Sequence, residues 1–159
     1  PTLPVIIDVL KKIGEKEYDA VVLLQPTSPF RLSGVIDNAI ETFINSGADS
    51  LISVLPVPKE YNPHWVFEPQ QNNLLKIATG EDKIITRRQD LPPAYYRDGS
   101  IYITKTKTLL NDNSIFGEKI SFIESSSRFF VNIDTMKDWE MAENILPQYM
   151  NYLHTINIT

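Results

Sequence analysis

The segment YDAVVLLQPTSPFR, from Tyr18 to Arg31, decides the fold of this 159-residue chain. Its apolar run from Ala20 to Leu24 predicts a strand that is buried on both faces, as in α/β proteins. The strand leads into a loop with two prolines, two hydroxyl side chains, a glutamine and an arginine, without the Gly, Asn or Asp that ordinary turns favour. Both prolines fix φ and remove main-chain donors, so the loop is stiff. It is either a rigid turn into a helix or part of a binding site.

A helix and a second strand follow this loop at short spacing. Ser33 is predicted to cap the helix, Gly47 to end it, and Leu51 to Leu55 to form the next strand. This βαβ pattern predicts a parallel sheet with a right-handed crossover. Ligands of open α/β sheets bind beyond the carboxyl ends of the strands, and the loop lies at such an end. The side chains expected to line a crevice there are Gln25, Thr27, Ser28 and Arg31.

Two further helices are predicted from apolar residues at helical spacing. The first lies near the amino end, and its expected inner face consists of Val5, Ile6, Val9, Leu10 and Ile13. The last helix begins with Thr135, whose spacing to Asp138 resembles a capping box. Its expected inner face consists of Met136, Trp139, Ala142, Ile145 and Leu146. Residues 100–104 and 129–133 are predicted as core strands.

The composition changes between Pro56 and Pro93, where Pro, Asn and Gln are frequent and only short β candidates occur. The absence of long apolar patterns there indicates an insertion rather than a continuation of the sheet. We therefore predict one domain over residues 1–159, with a small β-rich subdomain inserted over residues 56–97.

Charge and cysteine content narrow the class of protein. The formal net charge of −5 argues against nucleic-acid binding, because such proteins carry a strongly basic surface. No cysteine is present, which excludes disulfides and thiolate metal sites and favours a reducing compartment. No apolar run reaches transmembrane length, so we expect a soluble, cytoplasmic protein without membrane partners. The start at Pro1, inside the fold pattern, indicates a processed, truncated or partial gene product.

A second polar segment, RRQDLPPAYYRDGSIY (87–102), carries the guanidinium groups of Arg87, Arg88 and Arg97. Arginine suits carboxylate and phosphate because its planar fork binds two oxygens of one group. The alternative is a solvated basic loop whose charges pair with Asp90 and Asp98. Taken alone, the segment favours the solvated loop.

A third segment, VNIDT (131–135), ends the predicted last strand. Residues two apart on a strand point to the same side, so Asn132 and Asp134 would face one ligand together. Oxygen ligands in such a position suit Mg²⁺, which takes one or two carboxylates and completes its shell with water and phosphate oxygens. The alternative is that Asp134 only caps the following helix.

Taken in order, the three segments resemble one family, the acylneuraminate cytidylyltransferases or CMP-sialic acid synthetases. LLQPTSPFR resembles the family's LQPTSPLR element. RRQDLPPAYYRDGSIYI is similar to its RRQ segment and the YxxNGAIYI-like strand after it, and VNIDTMKDWEMAENIL to its terminal DIDT and helix. The resemblance covers nearly the whole chain. It implies a three-layer, Rossmann-like α/β nucleotidyltransferase fold with a mostly parallel sheet, a small inserted dimerisation subdomain and a homodimer.

The resemblance also implies an activity. Such enzymes transfer CMP from CTP to a nine-carbon α-keto acid sugar of the sialic, legionaminic or pseudaminic acid type, release pyrophosphate and use Mg²⁺. Matched by position, Asp134 and Asn132 would hold the metal and serve catalysis. Eight positions are implied for substrate binding. Gln25 and Thr27 would form hydrogen bonds to the acyl sugar, and Arg88 and Gln89 would bind its carboxylate or the nucleotide. Tyr102 and Phe116 would contact the acyl group, and Arg31 and Asp98 belong to the same substrate-binding set.

The chain departs from the family pattern at three places. The amino-terminal element of the form IPARxGSKxxxxKN, which binds CTP in the family, is absent from this sequence. Asn132 stands where the family usually has Asp, and a neutral amide is a weaker Mg²⁺ ligand than a carboxylate. Asp98 replaces the usual Asn before Gly99 and adds a negative charge near an anionic substrate. A truncated, non-catalytic paralogue that folds and dimerises is therefore an alternative, as is a nucleotidyltransferase for sugar 1-phosphates.

Overall fold

The computed structural model describes residues 2–14 and 17–156 and divides the chain into two compact units. The first unit contains the residues up to Val54 and those from Arg97 onward, and the second contains Leu55–Tyr96. The helices are α1 (Thr2–Ile13), α2 (Val35–Ser46), α3 (Thr106–Asn111) and α4 (Met136–Ile156). The strands are β1 (Ala20–Leu24), β2 (Ser50–Pro56), β3 (Phe67–Pro69), β4 (Leu75–Ile77), β5 (Tyr95–Lys105) and β6 (Ile120–Glu124).

The first unit is built around a four-stranded sheet in the order β1-β5-β2-β6. β1 pairs antiparallel with β5, with Val22 opposite Ile103, while β2 pairs parallel with β6, with Ile52 opposite Phe122. The βαβ pattern predicted a parallel sheet at β1 and β2, but β5 lies between them, so the sheet is mixed. The predicted α/β architecture is otherwise present.

The core of this unit lies between the sheet and α2. Leu51 of β2 and Ile101 and Ile103 of β5 are at most 1% exposed, and Ala39 and Phe43 of α2 pack against them. A second cluster joins α1 to α3 through Ile6, Leu10 and Leu109. The helical spacing of α1 was predicted correctly, but its inner face was too wide, because Val5, Val9 and Ile13 are 48–62% exposed.

The caps of α2 match the prediction at one end only. Gly47 ends the helix in the left-handed conformation, as predicted. At the other end the cap residue is Gly34, and no side chain caps the helix. The predicted cap at Ser33 is therefore wrong, because the chain turns one residue later and brings the Ser33 main-chain N–H to the hydroxyl of Tyr152.

Residues 129–133, predicted as a strand, are not one. A 3₁₀ turn at Ser127–Phe129 is followed by a stretch that belongs to neither sheet of the described residues. Phe129 and Val131 are nevertheless buried. The alternation of apolar residues therefore predicted which side chains face the core, although no strand hydrogen bonds form there. One main-chain hydrogen bond, from Ile133 N to Thr27 O at 2.8 Å, joins this stretch to the loop after β1.

The last helix, α4, packs through aromatic rings rather than through the face predicted for it. Tyr149 and Tyr152 lie 5.5 Å, centroid to centroid, from Phe129, and Ala142 is buried. Met136, Trp139 and Leu146 were predicted to face inward, but they are 44–73% exposed. The contacts of Tyr149 and Tyr152 with Phe129 therefore determine which face of α4 is turned inward. No helix in the described part of the chain is long and apolar enough to cross a membrane.

The second unit contains the antiparallel pair β3 and β4 and several 3₁₀ turns. Polar contacts hold its loops: the Trp65 indole donates to Ile85 O, and the buried Asn62 amide donates to Pro92 O at 2.9 Å. His64 Nδ1 lies 2.6 Å from Glu81 Oε1. The unit spans nearly the residues for which an inserted subdomain was predicted.

Candidate active site

A cleft of about 360 Å³ opens in the first unit at the carboxyl end of β1. Leu23 near the end of that strand pairs with Tyr102 of β5, and Gln25 begins the loop that follows. The cleft is lined by Thr2, Leu23, Gln25, Arg97, Asp98, Gly99, Tyr102, Ile115, Phe116 and Asn132. Five of the residues predicted for the site, from four distant parts of the sequence, therefore meet here.

Aromatic rings form the apolar wall of the cleft. The rings of Tyr102 and Phe116 stand edge to face with centroids 6.3 Å apart. Phe116 is held at both main-chain groups, since its N–H donates to Ser114 Oγ at 3.1 Å and its carbonyl accepts from Ser50 Oγ. These two bonds anchor the main chain that carries the Phe116 ring.

Thr27 does not line the cleft. Its carbonyl accepts the hydrogen bond from Ile133 N, which brings the loop after β1 beside the stretch that carries Asn132. Ser28, one residue further, is 4% exposed and lines a separate small cavity of about 40 Å³.

Arg31 lines the small cavity and not the larger cleft. Its Nη2 donates to Gln25 O at 2.6 Å and to Ser100 O at 3.1 Å, and the Tyr149 hydroxyl donates to Arg31 O at 2.7 Å. Burial lowers the pKa of Arg31, and its interactions with Tyr149 and Asp98 oppose that shift. The guanidinium thus links the loop after β1 to strand β5.

Asp98 is 5% exposed, and its carboxylate bonds within the fold. It accepts from Ser53 Oγ, from Ser100 N at 2.9 Å and, more weakly, from Ser100 Oγ at 3.3 Å. Ser53, 1% exposed in the middle of β2, also accepts from Ile101 N at 2.8 Å. Sequence reasoning did not single out Ser53; the available signal was a polar residue inside the apolar run LISVL.

Asn132 and Asp134 lie side by side, and the Asn132 amide donates to Asp134 Oδ2. The capping of α4 falls to its neighbours: the N–H and hydroxyl of Thr135 donate to Asp138 Oδ2, both at 2.8 Å, and Asp138 N donates back to Thr135. These bonds lower the pKa of Asp138. The Asp134 carboxylate does not cap the helix and remains exposed.

The donor set at this pair fits a weak oxygen-ligand site. Within residues 2–14 and 17–156 no group of three His, Asp or Glu side chains could hold a metal ion. Asp134 offers a carboxylate and Asn132 an amide oxygen, which suits an ion that takes its other ligands from water and phosphate. Both residues could serve one ion only if the amide turned so that its oxygen, and not its nitrogen, faced Asp134.

Arg88 and Gln89 lie in the second unit and are exposed. Arg88 Nη2 pairs with Glu60 Oε1 at 2.7 Å, and both side chains are about 60% exposed. Arg97 is the arginine that lines the cleft. The sequence places it among the three guanidinium groups of residues 87–102, but the family resemblance implies substrate binding for Arg88 and not for Arg97.

Comparison with solved structures bears on the fold. The structure of 4-diphosphocytidyl-2C-methyl-D-erythritol synthase from Anaerococcus prevotii matches with a TM-score of 0.52 over 86% of this chain and 64% of its own, at 12% sequence identity. At so low an identity the likeness concerns the fold alone. It confirms the predicted α/β fold.

Comparison with curated sequences bears on the family. No family model matches the chain. The CMP-N,N'-diacetyllegionaminic acid synthase of Legionella pneumophila is 33% identical over 145 residues, which are 89% of this chain and 60% of that protein. The N-acylneuraminate cytidylyltransferase of Streptococcus agalactiae serotype V is 33% identical over 118 residues, 74% of this chain and 28% of that protein. The chain, which spans 60% of the length of the first relative and 28% of the second, belongs to the acylneuraminate cytidylyltransferase family.

Proposed function

We propose that this chain carries the sugar-binding part of an enzyme that transfers CMP from CTP to a nine-carbon α-keto acid sugar and releases pyrophosphate. The observation that supports this most is the cleft itself, which joins Gln25, Tyr102, Phe116 and Asn132 at the carboxyl end of β1. Ligands of α/β sheets bind at such ends. The relatives named above are, by their names, a synthase of CMP-N,N'-diacetyllegionaminic acid and a cytidylyltransferase of N-acylneuraminate.

The cleft offers the groups that such a sugar needs. The Gln25 amide can both donate to and accept from hydroxyl and acylamino groups. The edge-to-face rings of Tyr102 and Phe116 provide an apolar surface for the acyl substituent. Arg97 supplies a guanidinium for the carboxylate, and its planar fork suits two oxygens of one group. We assign carboxylate binding to Arg97 rather than Arg88, which pairs with Glu60.

Asp134 and Asn132 would hold Mg²⁺, which neutralises phosphate charge while the nucleotide is attacked. The exposed Asp134 carboxylate is the stronger ligand of the two. In the absence of the ion, the Asn132 amide holds Asp134 in place through its hydrogen bond. The roles of this chain's own residues are to orient the sugar and to place one carboxylate at the edge of the cleft.

We further propose that the second unit mediates a homodimer. Tyr61, Leu74 and Leu75 in this unit are 64–71% exposed, and apolar side chains of this size gain by burial in an interface. Arg88 and Gln89, which belong to the same unit, would then serve the site of a neighbouring protomer.

A non-catalytic paralogue is the second candidate. It is favoured by one observation: Asn132 donates to Asp134 and so occupies, with a neutral group, a position where a second carboxylate would serve a metal. This candidate predicts a stable fold without turnover and without a response of the melting temperature to CTP and Mg²⁺.

The test is pyrophosphate release with CTP, Mg²⁺ and a panel of sialic, legionaminic and pseudaminic acids. The 159-residue chain and a form that includes any coding sequence before Pro1 would be assayed in parallel, with Asp134→Ala as a control. Turnover that Asp134→Ala abolishes would support the proposal and identify the sugar. If both forms are folded and neither releases pyrophosphate with any sugar, the result would favour the non-catalytic paralogue.

A further inference from the structure

The cleft rests on a cluster of polar groups that the proposed function does not use. Ser100 of β5 lies at its centre: its carbonyl accepts from Arg31 Nη2 at 3.1 Å, and its N–H donates to Asp98 Oδ1 at 2.9 Å. Ser53 of β2 donates to the same Asp98 oxygen. These four residues connect the loop after β1, strand β5 and strand β2.

We propose that Arg31, Asp98 and Ser53 are positioning residues that lock the loop carrying Gln25 onto β5, and that none of them contacts the sugar. The proposal rests on the proposed function for the identity of the ligand, but not for the existence of the cluster. It reassigns two residues, Arg31 and Asp98, whose sequence context suggested substrate binding.

The first step of the argument concerns Arg31. The Nη2 atom of its guanidinium bonds two carbonyls, those of Gln25 and Ser100, at 2.6 and 3.1 Å. Gln25 O belongs to the first residue of the loop, so this contact fixes the main chain from which the Gln25 side chain enters the cleft. Arg31 itself lines the small cavity and not the cleft. Because its hydrogen bonds go to main-chain carbonyls, Arg31 positions Gln25 and Ser100 relative to each other.

The second step concerns the charge of Asp98. Asp98 lines the cleft, where an exposed carboxylate would repel an anionic sugar, but its side chain is only 5% exposed and accepts from Ser53 and Ser100. Its interaction with Arg31 opposes the lowering of the Arg31 pKa by burial, so the two opposite charges attract each other. A buried charge that is hydrogen-bonded and offset by an opposite charge is tolerated in a fold. The negative charge that Asp98 adds, where the family usually has Asn, therefore affects the interior of the fold more than the surface that a ligand would contact.

The third step concerns Ser53. A hydroxyl inside a buried apolar strand is costly unless it is bonded, and Ser53 both donates to Asp98 and accepts from Ile101 N at 2.8 Å. It thereby holds the Asp98 carboxylate from the β2 side. Without the hydroxyl, Asp98 would lose one of its donors, and Ser100 would lose part of its support.

A double-mutant cycle on stability tests the cluster independently of activity. Arg31→Met and Ser53→Ala should each lower the melting temperature by roughly 3–8 °C, and the double variant should lose clearly less than the sum. The control pairs Arg31→Met with Ser46→Ala. Ser46 is the last residue of α2, whose 12 residues span about 18 Å, so it lies far from the helix start near Arg31 and the two losses should add. Additivity in the Arg31 and Ser53 pair would overturn the proposal. If a variant fails to fold, Arg31→Lys and Ser53→Thr replace it.

A ligand experiment separates positioning from contact. Dissociation constants for the sugar acid and its neutral methyl ester would be measured in wild type, Asp98→Asn and Gln25→Ala. A positioning role predicts that Asp98→Asn changes both constants by the same factor, whereas loss of a like charge in contact would favour the acid by about fivefold or more. Gln25→Ala keeps the carbonyl that Arg31 binds and should weaken both ligands without a loss of melting temperature.

The two experiments also separate this inference from the proposed function. If wild type binds neither the acid nor the ester, the proposed ligand is wrong, and the stability cycle alone decides whether the cluster exists. If wild type binds and the ratio of acid to ester shifts in Asp98→Asn, the ligand class stands and the positioning role of Asp98 is refuted.

Discussion

At the scale of single residues, Asn132 decides how the candidate metal pair behaves. Its amide donates to Asp134, so a second carboxylate in its place would create repulsion in the absence of metal and a stronger site in its presence. Asn132→Asp should therefore lower the melting temperature without Mg²⁺ and increase the rise that Mg²⁺ causes. Thermal unfolding across a Mg²⁺ series measures both effects. An identical Mg²⁺ response in variant and wild type would contradict a role of position 132 in metal binding.

Gly117 is a second residue at which a single atom matters. A Cβ added there would lie 2.6 Å from Asp49 Cβ and 3.0 Å from Thr108 Cγ2, and its φ of +68° is unfavourable for other residues. Gly117→Ala should cost about 2–4 kcal/mol of the free energy of unfolding, because overlap adds to the backbone cost.

Gly34→Ala is the matched control for Gly117→Ala. Its φ is +74°, but a Cβ there would meet no atom within 4 Å, so only the backbone cost of about 1–2 kcal/mol remains. Urea unfolding of both variants measures the difference. Equal losses of unfolding free energy in the two variants would show that Asp49 and Thr108 can move away from the added Cβ without a measurable cost.

At the scale of elements, two helix starts make a matched pair. Thr135 and Asp138 bond each other reciprocally at the start of α4, whereas no side chain caps α2. Thr135→Ala should lower the free energy of unfolding by about 0.5–2 kcal/mol, and Ser33→Ala should change it by less than about 0.5 kcal/mol. Chemical unfolding of the two variants measures this. A comparable loss in Ser33→Ala would mean that its hydroxyl stabilises α2 after all.

The same cap has a pH dependence of defined sign. Hydrogen bonds from Thr135 lower the pKa of Asp138 below its ordinary value of 3.8. A carboxyl group whose pKa is lowered by folding stabilises the fold above its unfolded pKa and loses that contribution as the pH falls through the folded value. The difference in melting temperature between wild type and Asp138→Ala should therefore be present at pH 7 and shrink below about pH 4.

The elements also show what sequence patterns can and cannot predict. β1 and β2 follow from short apolar runs and α2 from apolar residues at helical spacing, because both patterns are local. The predicted burial of β1 on both faces was wrong, since Val22 and Leu24 are 38% exposed. The position of β5 between β1 and β2 does not, because strand order depends on pairing between residues some eighty positions apart, such as Val22 and Ile103. Residues 129–133 have the alternation of a strand but join neither of the two sheets that the described residues form.

The candidate site was predictable to a similar extent. Gln25, Tyr102, Phe116 and Asn132 were selected by segment and do meet in one cleft. Ser53 stands out only as a polar residue inside an apolar run, and its partner could not be predicted, because only the fold brings Asp98 to it from 45 positions away. Polar residues of loops were assigned to a ligand, whereas the structure shows that Arg31 bonds two carbonyls of its own chain.

At the scale of the whole molecule, the proposed homodimer gives the last prediction. Leu75 lies on β4 and is 66% exposed, so a lysine there would be solvated in a monomer but buried and unpaired in an interface through the second unit. Ile44 on α2 of the first unit is 69% exposed and provides the control.

Light scattering coupled to size exclusion should give wild type and Ile44→Lys a mass near twice the 18.2 kDa of the chain. Leu75→Lys should shift the population toward the monomer while its melting temperature in dilute solution stays close to that of the wild-type monomer. If Ile44→Lys dissociates the dimer and Leu75→Lys does not, the interface lies on the first unit. In that case Arg88 and Gln89 lose the proposed link to a neighbouring site, and carboxylate binding is left to Arg97, the arginine that lines the cleft in the described part of the chain.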